Sequence, residues 1–471
     1  MVIVSNRGPV SFELRDGEPV GSRGAGGLVS GLGPLVHDTD TMWIAAALSV
    51  GDRVAGASGT INAAGFNVRT LAIDEEVFDK AYNVIANETL WYLYHGLFDH
   101  PRAPVIDSEW YDAWSAFRRY NEVFAEAIIE DAPENAIVLL QDHHLALTGP
   151  RVRDGRPDLS TVHFTHTPFA NPDELRVLPE LARTELLLGY LGADAVGFHS
   201  PRWSDAFIAC SRETLGVRPT KTFVSPLGPD GDEIAAFAKS PACEAEHASL
   251  ADEVGDRLVI ARPERLELSK NLLRGFWAYD ELLAMRPDLH GNVVFVANFS
   301  PSRTDVADYI AYRAELESAI EEINARWGDG SWTPILYRAE SNYARAVAMM
   351  RRYDVLLINP IRDGMNLVAK EGPLVNERNG VVLLSREAGA FDELSGIATE
   401  VHPYDITRTA QAMSDALDMP DDVRAATAEE LRDVTLSRNP RIWLDEQIAA
   451  CLLYTSPSPR DRTRSRMPSS A

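Results

Sequence analysis

Several short segments of this 471-residue chain combine residue types that can do chemistry. The most informative is Ile361-Arg362-Asp363-Gly364-Met365-Asn366-Leu367-Val368-Ala369-Lys370-Glu371, which follows the apolar run 355–358. Gly364 lets a loop turn tightly and Asn366 can cap a helix. A helix starting there aims its first unpaired N–H groups outward, an arrangement that suits a diphosphate. Glu371, on the opening turns, is placed to accept hydrogen bonds from a ribose diol; the competing reading is that it only complements the helix dipole. Arg265 and Lys270, in Pro-Glu-Arg-Leu-Glu-Leu-Ser-Lys-Asn, lie just past another apolar run. Arginine grips phosphate oxygens bidentately and lysine acts as a point charge, so the pair would stabilise a departing diphosphate. Spacing alone equally allows a surface salt-bridge loop with Glu264 and Glu267.

Further polar residues collect after other apolar runs. Run 136–140 ends in Gln141-Asp142-His143-His144, and run 161–165 is followed by His166-Thr167-Pro168-Phe169. Two neighbouring strand ends would thus present a carboxylate and an imidazole. The structural alternatives are a cap or turn for Asp142 and hydrogen-bonded core histidines for His143, His144 and His163; His166, before Thr-Pro-Phe, stands apart. On a strand, the spacing of His163 and His166 puts them on opposite faces, so no metal site is expected. The first strand runs into Ser5-Asn6-Arg7-Gly8, and Gly24-Ala25-Gly26-Gly27 precedes a helical stretch at 28–36. Such glycines let backbone N–H groups approach an anion, although most Gly-rich turns only turn. Two matches are set aside. Asp38-Thr39-Asp40 has the Asp-x-Asp pattern of metal-dependent transferases but no strand end before it, and Met349-Met350 reads as core filling.

Positioning these residues requires strands that end beside one another. Apolar runs at 136–140, 161–165, 195–198, 258–261, 293–297, 355–358 and 381–384 read as buried parallel strands, separated by helical stretches such as 109–130, 272–285 and 306–327. That alternation predicts an α/β protein with doubly wound sheets. A Pro- and Gly-rich seam at 226–233 predicts domains at 1–230 and 231–437, then a helix at 438–451 that braces the first half. Residues 452–471, rich in Ser and Pro with four arginines against one aspartate, resemble an appended or read-through sequence and are expected to be disordered. The net charge of −25 excludes general affinity for nucleic acid or anionic lipid, so a phosphate ligand needs a local cationic pocket. Three scattered cysteines form neither a disulfide framework nor a thiolate zinc site. No run approaches the roughly 18 to 20 apolar residues that span a bilayer. A cytoplasmic protein is expected, with a homo-oligomer left open.

Taken in order, Ser5-Asn6-Arg7, Ala25-Gly26-Gly27-Leu28, Leu90-Trp91, Asp142-His143-His144-Leu145, His166-Thr167-Pro168-Phe169, Pro301-Ser302-Arg303 and the 362–371 segment resemble the trehalose-6-phosphate synthases of glycosyltransferase family 20, over nearly all of residues 1–450. The resemblance implies a GT-B fold: two Rossmann-like doubly wound domains facing each other across a cleft, the first binding the acceptor, the second the nucleotide sugar, and a C-terminal helix crossing back. It implies retaining transfer of glucose from UDP- or GDP-glucose to glucose 6-phosphate, with no cofactor and no metal. Arg7 and Arg303 would bind the acceptor phosphate, and Tyr82, Trp91 and Asp142 the acceptor sugar. His166 would touch the donor glucose, Arg265 and Lys270 the diphosphate, and Asp363 the donor hydroxyls. The backbone of Gly364, Met365, Asn366, Leu367 and Val368 would hold glucose and diphosphate, and Glu371 the ribose, while Gly26 or Gly27 closes over the diphosphate. Asp142, His166, Arg265, Lys270 and Asp363 form the implied catalytic set, with Tyr343 a candidate neighbour of the base.

The chain departs from the commoner Arg-Leu-Asp-Tyr-Ser-Lys-Gly pattern with Arg265-Leu266-Glu267-Leu268-Ser269-Lys270-Asn271. Together with Thr167 and the Gly372-Pro373-Leu374 that follows Glu371, this resembles an actinobacterial branch near the pseudo-glycosyltransferases that join aminocyclitols. Glycerol 3-phosphate or an aminocyclitol phosphate is thus an alternative acceptor. A silent sugar-phosphate sensor is a third reading, against which Arg265, Lys270, Asp363 and Glu371 argue.

Overall fold

A computed structural model describes residues 1–24, 27–219, 221–304 and 306–455; Gly26 and the 456–471 part of the expected tail lie outside the described residues. The chain divides into two compact units, one formed by Met1–Ser225 with the segment from Pro440 onward, the other by Pro226–Asn439.

The first unit is built on ten strands, eight of them in one main sheet: β1 (Val2–Ser5), a hairpin β2 (Val10–Arg15) and β3 (Glu18–Arg23) set apart from that sheet, then β4 (Met42–Ala46), β5 (Ile61–Ala63), β6 (Phe66–Leu71), β7 (Ile137–Gln141), β8 (Ser160–Thr165), β9 (Ala195–Phe198) and β10 (Thr222–Val224). The main sheet runs β10-β9-β8-β7-β1-β4-β6-β5, parallel except for β5 on β6. Order reverses between β1 and β7, and at such a switch point the connections leave in opposite directions and open a crevice at the strand ends. The helix Ser108–Asp131 covers this sheet because Trp110, Trp114, Phe117, Tyr120, Phe124 and Ile128 recur every three or four residues and bury one face. Asp107 caps it by accepting from the Trp110 N–H at 3.0 Å.

The second unit is an all-parallel sheet, β13-β12-β11-β14-β15-β16, from β11 (Leu258–Arg265), β12 (Val293–Ser300), β13 (Ile335–Arg338), β14 (Val355–Ile358), β15 (Val381–Ser385) and β16 (Thr399–Val401). Alternate residues of one strand enter different cores: Val355 and Leu357 join one cluster, Leu356 and Ile358 another. A strand that must bury both faces cannot alternate with polar residues, which is why these strands read as unbroken apolar runs. Order reverses here between β11 and β14.

The C-terminal helix spans Pro440–Thr455, starting later and ending later than the expected 438–451, so residues 452–455 continue a helix where a disordered tail was expected. Among the described residues no helix is long and apolar enough to cross a membrane.

Candidate active site

In the first unit, Arg7, Asp142 and His166 follow β1, β7 and β8, three neighbouring strands. Asp142 has φ of 71°, a left-handed conformation that non-glycine residues hold only when their surroundings fix it. Its N–H donates to the Phe164 carbonyl (2.7 Å), its carbonyl accepts from His163 Nε2 (3.1 Å), and its carboxylate accepts the N–H of His166 (3.1 Å). The carboxylate therefore binds the next strand end and does not cap the turn His143–Leu145 that follows it. Burial alone would raise the Asp142 pKa, but His143, His166 and His144 prevail and hold it well below the usual carboxylate range. His163 is buried and pushed down to about 4 by that burial, so it is a neutral clamp on the Asp142 backbone. His143, equally buried, points Nε2 at the Ala86 carbonyl (3.2 Å) and Nδ1 at Asp142 (3.2 Å). Both behave as the hydrogen-bonded core histidines that sequence offered as the alternative.

Aromatic rings stand beside this carboxylate. Tyr82, on the π-helical segment Lys80–Leu90, stacks between Phe78 (5.2 Å) and His144 (5.6 Å). Trp91 opens the next helix, Trp91–His95, and stacks on His95 at 4.0 Å. Arg7 is exposed, its carbonyl held by Ser5 Oγ at 2.6 Å. Asp142, His143 and His144 place one ligand atom each within 4.8 Å of one another, the one group of metal-ligating type among the described residues. Gly27 opens the helix Gly27–Val36.

The second unit gathers its predicted residues past β11, β12 and β14. Lys270 Nζ lies 2.7 Å from Asp363 Oδ2 and 3.3 Å from Glu264 Oε2. Burial pulls the Lys270 pKa down, yet Asp363 and Glu264 outweigh it and the ammonium is held above its ordinary value. Asn366, at φ of 79°, donates to Glu264 (2.8 Å) and to Asp363 (3.1 Å), and accepts from Ala369 N–H (3.3 Å), capping the helix Val368–Val375. Asp363 is braced through its backbone by Glu387 and Gly389, and Met365 by Ala390. Arg265 and Arg303 meet one carboxylate, Glu267, at 2.7 and 3.1 Å, with Ser302 at 3.0 Å. The salt-bridge reading is therefore correct about the partners and wrong about the surface: the Glu267 side chain is fully buried while that of Arg265 is 54% exposed. Buried carboxylates thus hold the charged ends of these side chains, and the Arg265 guanidinium keeps a solvent-exposed side while paired with Glu267. Glu371 is half-buried, pushed up to about 7 by burial and then by Glu233. Its charge acts on Tyr343, at the start of the helix Tyr343–Arg352.

A family model described as glycosyltransferase family 20 matches residues 1–451. The chain belongs to that family. It is 31% identical to an Aspergillus niger α,α-trehalose-phosphate synthase [UDP-forming] over 463 residues, covering 94% of this chain and 95% of the relative. Among solved structures it is similar to a UDP-forming α,α-trehalose-phosphate synthase from Burkholderia xenovorans in complex with glucose-6-phosphate (27% identity, TM-score 0.84, 96% and 99% of the two chains). It is also similar to an E. coli protein bound with UDP-2-fluoro glucose (28% identity, TM-score 0.83, 98% and 99%). The fold is the GT-B fold expected from sequence.

For this family 20 chain the expected site residues fall into two sets. Arg7, Tyr82, Trp91, Asp142 and His166 belong to the first unit; Arg265, Lys270, Arg303, Asp363 to Val368 and Glu371 belong to the second. Arg7 and Arg303, paired by resemblance as phosphate ligands, thus sit in different units. Sequence reading passed over Gln141 and His199, which contact the His166 ring at 2.9 and 3.1 Å. His199 directly follows β9, so the rule of polar residues at strand ends, applied once more, would have found it.

Proposed function

We propose that the chain transfers glucose from UDP-glucose to glucose 6-phosphate, releasing UDP and α,α-trehalose 6-phosphate, with the second unit holding the donor and the first the acceptor sugar. The observation that carries this reading is the Lys270–Asp363–Asn366–Glu264 cluster beside an exposed Arg265, at the switch point of a parallel sheet in an otherwise acidic protein. An ammonium has three N–H donors. Two face Asp363 and Glu264, and the third serves a diphosphate oxygen. In the reaction the bond from glucose C1 to the diphosphate oxygen breaks as the acceptor hydroxyl oxygen bonds C1 from the same face. The hydroxyl proton passes to the departing diphosphate, whose charge Arg265, Lys270 and the N–H groups after Asn366 absorb. No protein nucleophile takes part. The reading includes no metal: His143 turns one nitrogen to a carbonyl and the other to Asp142, and its neighbour His144 is stacked on Tyr82. Buried free thiols at Cys210, Cys243 and Cys451 support a cytoplasmic location.

Lys270→Ala should lower UDP release in the presence of glucose 6-phosphate roughly 100- to 1,000-fold, the loss seen when one charge-stabilising donor is removed. Release is measured below the variant's melting temperature, because the substitution also strips two carboxylates of their cation. Near-normal turnover would sink the assignment. Glycerol 3-phosphate and GDP-glucose run in parallel report acceptor and base choice.

A further inference from the structure

The C-terminal helix Pro440–Thr455 returns to the first unit and buries Trp443 and Gln447 completely. Trp443 lies edge-on to Phe164 at 5.0 Å, and its ring is 5.6 Å from that of His166. From Gln447 a line of hydrogen bonds runs to that histidine. Gln447 Nε2 faces the Trp443 carbonyl at 3.5 Å, and Gln141 Nε2 donates to Gln447 Oε1 at 3.2 Å. Gln141 Oε1 then meets His166 Nε2 at 2.9 Å, and His166 Nδ1 meets His199 Nε2 at 3.1 Å.

The direction of every bond follows from one end. A backbone carbonyl only accepts, so turning the Gln447 amide over would set oxygen against oxygen. Gln447 therefore presents Oε1 to Gln141, Gln141 must donate to it, and the Gln141 oxygen is left facing His166. His166 must then carry its proton on Nε2, with Nδ1 a bare lone pair that accepts from His199. Gln141, His199 and Gln447 are all at least 97% buried, so no water competes for these groups at ordinary cost.

We infer that Gln447, acting through Gln141, is a positioning residue that fixes His166 as the Nε2–H tautomer and holds its ring, making the C-terminal helix part of the active-site machinery of the first unit. The inference rests on reading His166 as a donor-sugar contact for its effect on turnover, but not for its effect on the tautomer. Because both ring nitrogens are engaged, a sugar hydroxyl reaches the ring by sharing the Nε2–H or Nδ1 bond, and the tautomer decides which polarity it meets. In Gln447→Leu the Gln141 amide loses the acceptor that orients it and can turn, presenting N–H to His166 and driving the proton to Nδ1. Gln447→Glu, whose fully buried carboxyl is expected to be protonated and to donate its O–H to the Trp443 carbonyl, keeps an acceptor oxygen toward Gln141.

The test is long-range ¹H–¹⁵N NMR on the full chain labelled at histidine, with His166 assigned by its loss in His166→Asn. The wild type should show His166 as Nε2–H. Gln447→Leu should lose that signature and about tenfold in kcat/KM for UDP-glucose, with KM for glucose 6-phosphate unmoved, while Gln447→Glu retains the tautomer. An Nδ1–H or doubly protonated His166 in the wild type overturns the inference, as does an unchanged tautomer in Gln447→Leu. A tautomer that moves with no change in donor kinetics upholds the positioning and removes His166 from the donor site instead.

Discussion

Glu371 carries the least ordinary carboxyl group of the second unit. Burial, and after it the charge of Glu233, pushes it up to about 7, from an ordinary value near 4.5. A carboxyl acts as a pure acceptor for a diol only when ionised, so the proposed ribose contact strengthens as pH rises through about 7. UDP-glucose has no group of its own titrating in that window, so the dependence is the protein's. Its Kd by calorimetry should fall between pH 6 and pH 8 by several-fold, and Glu233→Gln, which removes the like charge, should move the midpoint to lower pH. A flat profile in the wild type would take Glu371 out of donor binding. For stability the sign is the reverse: a carboxyl raised on folding favours the folded state below its unfolded pKa, and that contribution is lost as pH rises through about 7. Ligand affinity and fold stability at this residue therefore pull in opposite directions around neutrality.

The turn that carries Lys270 is set by two elements behind it. Arg262, on β11 and 1% exposed, donates from Nη2 to the Lys270 carbonyl at 2.5 Å. The helix Leu272–Met285 makes room for that guanidinium only because residue 275 is glycine: a Cβ there would lie 2.0 Å from Arg262 Nη1. Gly275→Ala should therefore displace Arg262, cost about 1–3 kcal/mol as overpacking, and lower turnover further than the fall in stability explains. Thermal melts and UDP release at a temperature where the variant is fully folded separate the two effects; loss of stability with unchanged turnover would free Lys270 from dependence on Arg262. The strands β1, β7, β8, β9, β11, β12, β14 and β15 and this helix were legible because burial of both sheet faces writes unbroken apolar runs, and 272–285 has clean helical spacing; β4, β5, β6, β10, β13 and β16 were passed over. The hairpin β2–β3 was not: only Val10 and Phe12 of its residues are buried, too short an alternation to stand out beside exposed Glu13, Arg15, Glu18 and Arg23. Nor was the π-helical winding at Lys80–Leu90, because hydrogen-bond register leaves no mark in composition. The cations at 265 and 270 were visible as residue types. That Glu264 and Glu267 are buried under them depends on packing between strands, and the Gln141–Gln447 bond joins residues 306 positions apart, a pairing that local spacing cannot announce.

Across the whole molecule, a chain of net charge −25 repels the anionic substrates proposed for it, so binding depends on cations concentrated at the strand ends and backed by buried carboxylates. The two units carry separate hydrophobic cores and differ in how the chain builds them. The second is one continuous segment, Pro226–Asn439, with both sheet faces covered by its own helices. The first is discontinuous: Met1–Ser225 completes its cover only when the helix Pro440–Thr455 returns against β8, burying Trp443, Leu444, Gln447, Ala450 and Cys451. Burying the two large apolar ones, Trp443 and Leu444, contributes about 1.5–3 kcal/mol each, a sum that reaches the lower end of the stability of a typical domain. A fragment of residues 226–439 is therefore expected to unfold cooperatively and to bind UDP by calorimetry, whereas a fragment ending at Ser225 should melt broadly and expose apolar surface to dye. Appending residues 440–455 to that fragment through a flexible linker should restore a sharp transition. If Met1–Ser225 alone melts as sharply as the linked form, the helix contributes nothing to the first unit's stability, and its retention would have to be explained by His166 alone.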